Sequence, residues 1–269
     1  MRRHALIPAL LLAACVAACR GPRPDFTARA GAGDAAPEAA AETTPPTRSY
    51  RCERAGEAPT LEGTFEDGAW TRAAWTEEFV VVRRRGVMPP VRTRAKMLWD
   101  DAYLYCAVEL LEPQEAPEPG VPPQRHDVDL MVADDPASGG YQVELVGMGT
   151  ILDAWHDARN GGRAVGTWDA RGLRTSVQRS RDGATQRWTA AFALPWSSLS
   201  HGTPAPESAG GEAPKPGAVW RVDLSRTSWR PMAADETGTP EPRSYERAAW
   251  QPPAEPAEPH GWAAVEFAP

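Results

Sequence analysis

The sequence predicts an all-β fold: an antiparallel β-sandwich of the jelly-roll type, with one or two short helical turns. The 269 residues include 28 prolines and 23 glycines, which exclude long helices. Between these breakers, short segments alternate apolar and polar side chains, which is the period of a half-buried strand. Many short strands with breaker-rich connections are typical of a sandwich or jelly roll.

The clearest strand is predicted at residues 91–99, where apolar side chains and a threonine share one face and basic side chains share the other. Asp100 and Asp101 form a turn, and residues 103–108 return as the second strand of a hairpin. Helical turns are predicted at residues 66–74 and 196–199. The other predicted strands are 79–82, 127–132, 141–146, 173–178, 188–194, 219–225 and 262–267.

The N-terminus predicts export and lipid anchoring. Arg2 and Arg3 precede an apolar run at residues 5–18 that is too short to span a bilayer, so residues 1–18 form a lipoprotein-type signal peptide. Val16-Ala17-Ala18-Cys19 resembles the bacterial lipobox, and Cys19 is the predicted lipidation site; Cys15 and an ordinary signal peptide are the alternatives. The predicted location is therefore the periplasm-facing membrane or the cell surface, with the lipid as the membrane contact.

Residues 19–48 are rich in alanine and proline and predict a disordered tether, and residues 49–269 predict one β-sandwich domain. The net charge of -7 and the absence of a basic run argue against a nucleic-acid partner. After the signal peptide and Cys19, two cysteines remain, Cys52 and Cys106. In an oxidising compartment this pair predicts a disulfide, with two buried free thiols as the alternative.

Seven patterns between residues 50 and 269 resemble the carbohydrate-binding family 9-like domain, and they occur in that family's order. The most specific is the hairpin at residues 97–105, MLWDDAYLY. The others are residues 59–63 followed by Asp67 and Trp70, then 127–130, 141–145, 194–199, 217–226 and 259–262.

This resemblance implies a sandwich that binds a saccharide without catalysis, sometimes with structural calcium. In such relatives two tryptophan rings clamp the sugar, one from the loop before the strand at 127–132 and one from the loop before the last strand. Here residues 122–126 and 252–260 contain no aromatic residue, although Trp250 lies just upstream. A basic residue that contacts the sugar in the relatives corresponds to Glu144, so the resemblance does not supply the binding residues.

Tryptophan rings can stack on the apolar face of a sugar, and the chain has eleven tryptophans. Flanking alternation predicts core positions for Trp99, Trp188 and Trp220, and Trp70 and Trp196 lie in fold-shaping motifs. Polar or glycine-rich surroundings predict binding platforms, with Arg159 as a polar partner, at four positions: Trp155, Trp168, Trp229 and Trp250.

Residues 153–160 combine an aromatic ring with several polar groups and are predicted to form a surface loop. Asp153, His156 and Asp157 are candidate calcium ligands, although no EF-hand loop is present and the ligand set is not assigned.

Individual residues suggest two other functions, hydrolysis and haem binding. Asp127 and Asp129 could place two carboxyl groups ~7 Å apart, as in an inverting glycosidase, but both lie on one strand. Met148 and His156 could hold a haem, but no spacing rule supports that pair. A third alternative is a scaffold or partner-binding lipoprotein without sugar binding; protein partners are not assigned. The sequence favours non-catalytic saccharide binding that supports polysaccharide breakdown by other proteins.

Overall fold

The computed structural model describes residues 47–82, 87–113, 125–147, 149–161, 163–164, 168–199, 211–230, 244–253 and 261–269. The predicted signal peptide, Cys15, Cys19 and nearly all of the predicted tether lie outside these residues, as does Met148. Residues Thr44–Pro269 form one compact unit. Among the described residues, no helix is long and apolar enough to cross a membrane.

The regular secondary structure of the described residues is almost entirely β-strand, which confirms the predicted fold class. Short 3-10 turns occupy Gly68–Arg72, Ala158–Asn160 and Trp196–Ser198; the first and third were predicted. Thirteen strands, β1 to β13 in chain order, lie at Ser49–Arg54, Val80–Val81, Arg92–Trp99, Tyr103–Pro113, Arg125–Ala133, Gly139–Val146, Thr150–Asp157, Arg163–Ala164, Arg174–Asp182, Thr185–Pro195, Val219–Arg230, Ser244–Ala249 and Ala263–Phe267.

The strands form two layers that are joined through β1. The first layer has the order β8-β7-β6-β5-β11-β13, with β12 also paired to β11; the second has the order β3-β4-β10-β9. Ser49 to Cys52 pair with β13, and Glu53 and Arg54 pair with β3, both in parallel. Strand β1 therefore departs from the antiparallel pairing of the other strands, and both of its partners lie in distant parts of the sequence.

The main core lies between the two layers and is built from alternate residues of facing strands. It includes Trp99, Trp188 and Trp220, which confirms their predicted core positions. Trp196 is also buried and donates from Nε1 to the Asp100 carbonyl at 2.8 Å, which fixes the β3–β4 hairpin against the turn after β10.

A second apolar cluster closes the outer face of the second layer. Phe65 and Trp70, from the segment between β1 and β2, pack on Leu98 and Tyr105 of that face. Trp70 also donates from Nε1 to the Thr60 carbonyl at 2.7 Å, so its predicted structural role is confirmed. This packing covers part of that outer face.

The predicted disulfide is not formed: Cys52 and Cys106 are free thiols, both buried. Strand β3 lies between their strands, β1 and β4. Neighbouring strands are about 4.8 Å apart, so the two Cα atoms lie roughly 10 Å apart. A bridge requires less than about 7 Å. Burial raises the pKa of both thiols, which keeps them protonated and unreactive at neutral pH.

Candidate functional site

The outer face of the first layer carries a continuous set of polar side chains, which we call the polar face. In β5, Val128 and Leu130 point into the core, so the residues between them point outward. The same alternation holds on β6, β7, β11 and β12. The polar face consists of Asp127, Asp129, Gln142, Glu144, His156, Asp223, Ser225 and Arg247.

Hydrogen bonds connect the polar face across four strands. His156 Nε2 lies 2.6 Å from Gln142 Oε1, and Gln142 Nε2 donates to Asp129 Oδ1 at 2.7 Å. Ser225 Oγ donates to the second oxygen, Asp129 Oδ2, at 3.4 Å. The side chains at the centre of the face are therefore held in defined positions before any ligand arrives.

Arg247 extends this network to β12. Its guanidinium donates to Ser225 Oγ at 3.2 Å and to Asp223 Oδ2 at 3.2 Å. Asp223 is almost completely buried, so this charged partner compensates a carboxylate that would otherwise be costly to shelter from water.

Asp127 fixes an aromatic ring at one end of the polar face. Its side chain is 2% exposed and accepts bonds from the Gly147 amide at 2.9 Å and from Arg125 at 3.2 Å. Trp229 Nε1 donates to Asp127 Oδ2 as well. The Arg125 guanidinium carbon lies 5.5 Å from the Trp229 ring centroid. Trp229 therefore has one defined orientation.

Aromatic rings lie at both ends of the polar face. Trp229 is partly exposed, and its ring centroid lies 5.3 Å from that of Tyr245, which is 51% exposed. At the other end, Trp262 is partly exposed and crosses over Gly140, where an added Cβ would lie 3.0 Å from the ring.

Neither Tyr245 nor Trp262 was predicted as a site residue. Trp262 was assigned only to the last strand, and Tyr245 lies in β12, which was not predicted. Trp262 immediately precedes the buried Ala263, so the period of a strand was a usable signal for its outward position.

Three of the four predicted platforms are wrong, because their rings lie in the core. Trp155 is on the inward side of β7 and packs on Tyr141 at 4.6 Å between centroids. Trp168 packs on the other side of the same cluster, 4.9 Å from Tyr141. Trp250 is fully buried and donates from Nε1 to Glu77 at 2.8 Å. Only Trp229 lies where a sugar could stack.

The predicted loop at residues 153–160 is strand β7 followed by a 3-10 turn. Asp153 accepts the Ala170 amide at 2.8 Å, whereas His156 points to the opposite side of the strand. Asp157 caps the turn by accepting the Arg159 amide at 2.9 Å, and the 69% exposed Arg159 side chain folds back onto it. The three candidate calcium ligands therefore do not converge.

Within the described ranges, no group of three or more histidine, cysteine, aspartate or glutamate side chains is placed to hold a metal ion. Calcium binding stays an untested prediction.

Glu144 is a partly exposed acidic group on the polar face, and among the described residues it forms no ion pair with a basic side chain. It lies directly opposite Asp129 in the β5–β6 register. Partial burial, followed by the Asp129 and Asp127 carboxylates, raises the pKa of Glu144 to about 7. Burial also raises the pKa of Asp129. This part of the face holds more negative charge than its surroundings readily stabilise.

We expect Glu144→Gln to stabilise the protein at pH 8 by about 1–2 kcal/mol, after discounting for partial exposure, and to have little effect at pH 5. The folded-state pKa is raised, so stability is lost as pH rises from about 4.5 to about 7, and glutamine removes that loss. The facing groups are Asp129 and Asp127, which repel the Glu144 carboxylate, and Arg125, which attracts it. Urea unfolding at both pH values measures the difference; an equal effect at pH 5 and pH 8 would contradict the assignment.

Comparison of the sequence with models of known families and with characterised proteins finds no match. Among solved structures, the chain is similar to a carbohydrate-binding module family 9 protein from Caldicellulosiruptor kristjanssonii in complex with cellotriose. The two chains are 13% identical, the match covers 82% of this chain and 94% of that chain, and the TM-score is 0.46. The glucose complex gives 13% identity, coverage of 81% and 95%, and a TM-score of 0.43.

A candidate carbohydrate-binding protein from Bacteroides uniformis ATCC 8492 is similar over 82% of this chain and 100% of that chain, with 10% identity and a TM-score of 0.51. Identities this low concern the fold alone. This chain therefore shares the fold of the Bacteroides uniformis protein.

Proposed function

We propose that the domain binds a saccharide, without catalysis, on the polar face of the first layer. The proposal is carried by partly exposed rings at both ends of the hydrogen-bonded polar face, on which Gln142, Glu144 and Arg247 are partly exposed. Sugar sites combine flat aromatic rings, which stack on C–H faces, with fixed polar groups that bond hydroxyls. Trp229 with Tyr245 and Trp262 supply the rings, and Gln142, Arg247 and their neighbours supply the polar groups.

The spacing of the rings favours an oligosaccharide over a single sugar. Trp262 precedes Ala263, which pairs with Val222 on β11, whereas Trp229 lies seven residues further along β11. At about 3.3 Å per residue the two rings are roughly 20 Å apart along the strand. A chain of several sugar units can contact both rings and the polar residues between them.

The partners of Asp127 and Asp129 support binding over hydrolysis. Both oxygens of each carboxylate accept hydrogen bonds from the protein, namely from Gly147, Arg125 and Trp229 for Asp127, and from Gln142 and Ser225 for Asp129. A glycosidase needs one carboxyl group on each side of the scissile bond, and two neighbours on one strand face do not provide that.

We propose that the domain is exported, anchored through Cys19, and supports polysaccharide breakdown by other proteins.

A glycan array with the purified full-length chain tests the proposal, followed by titration of the strongest ligand. We expect Trp229→Ala to weaken binding about 10- to 100-fold, because one end of the site loses its stacking ring. Trp75→Ala is the matched control. That ring is also partly exposed, but it lies on the second layer, with the Arg94 guanidinium carbon 4.1 Å from its centroid, and we expect unchanged affinity.

Equal losses in the two tryptophan variants would place the site elsewhere. A folded protein that binds no glycan would overturn the proposal and favour the scaffold alternative.

A further inference from the structure

We propose that the saccharide of the polar face carries free amino groups, so that the ligand is a cationic amino-sugar oligomer and not a neutral or N-acetylated one. This inference rests on the proposed function and names its ligand class. Glu144 is the residue that determines this specificity, together with Asp129 on the neighbouring strand.

The carboxylates of the polar face divide into two that form an ion pair with an arginine and two, Asp129 and Glu144, on which Arg247 and Arg125 act without such a contact. Asp127 is paired with Arg125 at 3.2 Å, and Asp223 is paired with Arg247 at 3.2 Å. Among the described residues, neither Asp129 nor Glu144 forms an ion pair with a basic side chain. Asp129 instead receives its hydrogen bonds from the neutral donors Gln142 and Ser225.

Asp129 and Glu144, the two carboxylates without a contact ion pair, lie directly opposite each other on β5 and β6. Like charges at such a cross-strand position destabilise a sheet, and shelter from water increases the cost. Asp129 and Glu144 are both only partly exposed, so solvent screens them incompletely. Partial burial first, and then repulsion by the Asp129 and Asp127 carboxylates, raises the pKa of Glu144, while Arg125 lowers it.

An ammonium group is the ligand feature that relieves this repulsion. Placed between Asp129 and Glu144, it would donate charge-assisted hydrogen bonds to both carboxylates and compensate their charge. A sugar hydroxyl donates one bond to one carboxylate and brings no charge. An N-acetyl group is neutral and bulkier than the amine, so it does not compensate the charge of the two carboxylates either.

The location of the pair makes this a feature of the saccharide site. Gln142, which bonds Asp129, belongs to the network at the centre of the polar face, and Asp127 links the same end to the Trp229 ring. A sugar stacked on Trp229 and Tyr245 would therefore have its neighbouring unit beside Glu144. The net charge of -7 attracts a cationic glycan to this surface at long range.

Three oligosaccharides of equal length and linkage test the inference with the full-length chain at neutral pH: β-1,4-linked glucosamine, N-acetylglucosamine and glucose oligomers. We expect the glucosamine oligomer to bind at least 10-fold more tightly than the other two, and this ratio to shrink at high salt. Glu144→Gln should lower the ratio. Asp182→Asn is the matched control, because it neutralises an acid at the end of β9 in the second layer, and it should leave the ratio unchanged.

The outcomes separate this inference from the proposed function. Equal affinity for the three oligomers would overturn the amino-sugar inference and retain saccharide binding. No binding to any of them, or to any array glycan, by the folded protein would overturn both. A preference for the amine that Glu144→Gln does not reduce would overturn the role assigned to Glu144 and Asp129.

Discussion

Replacing Trp155 with alanine should lower the free energy of unfolding by about 3–5 kcal/mol, the cost typical of removing a buried tryptophan ring. The side chain is 3% exposed and packs on Tyr141, which also contacts Trp168. Its removal would leave a cavity between β7 and the second layer that the surrounding side chains fill only in part. The expected loss is a large fraction of the stability of a typical domain.

Urea unfolding of Trp155→Ala and Tyr245→Ala compares the free energy of unfolding after loss of a core ring with that after loss of an exposed ring. Tyr245 is more than half exposed, so its truncation should change stability by less than about 1 kcal/mol while weakening saccharide binding. Trp155→Phe, which keeps an aromatic ring in the core, should recover part of the lost stability. If Trp155→Ala left stability unchanged but weakened saccharide binding, Trp155 would be a sugar-stacking residue and not a core residue.

The misassignment of Trp155 shows where periodicity fails. Strand β7 exposes Ile151 and Leu152 and buries Trp155, so its apolar residues do not alternate and the segment resembles a loop. The hairpin of β3 and β4 gave the opposite result. Its inward side is apolar almost without interruption, and both strands were predicted close to their observed positions.

Strands β1 and β12 were missed for a related reason. Their sequences, SYRCER and SYERAA, contain few apolar residues, and their positions depend on partners far along the chain. Strand β1 is held by parallel pairing to β13 and β3. The disulfide was predicted from the number of cysteines and the compartment. Neither reveals the strand order, in which β3 separates Cys52 from Cys106.

The candidate site was only partly predictable because it is assembled by register between distant strands. Asp127, Asp129 and Trp229 were identified individually from their residue types. The network from His156 through Asp129 to Arg247 joins five strands, and its order follows from sheet topology that no local pattern contains. Glu144 was noted only as a departure from a basic residue, and its position opposite Asp129 gives that departure a physical meaning.

A second polar network lies between the layers, and Arg226 is at its centre. The side chain is 0% exposed; it donates to Ser228 Oγ and lies 3.3 Å from Glu246 Oε1. Ser228 Oγ lies 2.8 Å from His126 Nδ1. Removal of this guanidinium from water lowers its pKa to about 10, so it remains charged at neutral pH inside the sandwich.

We expect Arg226→Ala to lower the free energy of unfolding by about 3–5 kcal/mol, because it breaks the ion pair with Glu246 and opens a cavity beside Ser228. Arg226→Met fills that space without burying a charge, and a double variant that adds Glu246→Gln neutralises the carboxylate of this ion pair as well. Replacing both charges in this way is often neutral or stabilising, so the double variant should recover most of the loss. Urea unfolding of the three proteins gives the comparison. If Arg226→Ala were as stable as the parent, the buried ion pair would make no net contribution; if all three variants lost stability equally, the guanidinium would be needed for its hydrogen bond to Ser228 and not for its charge.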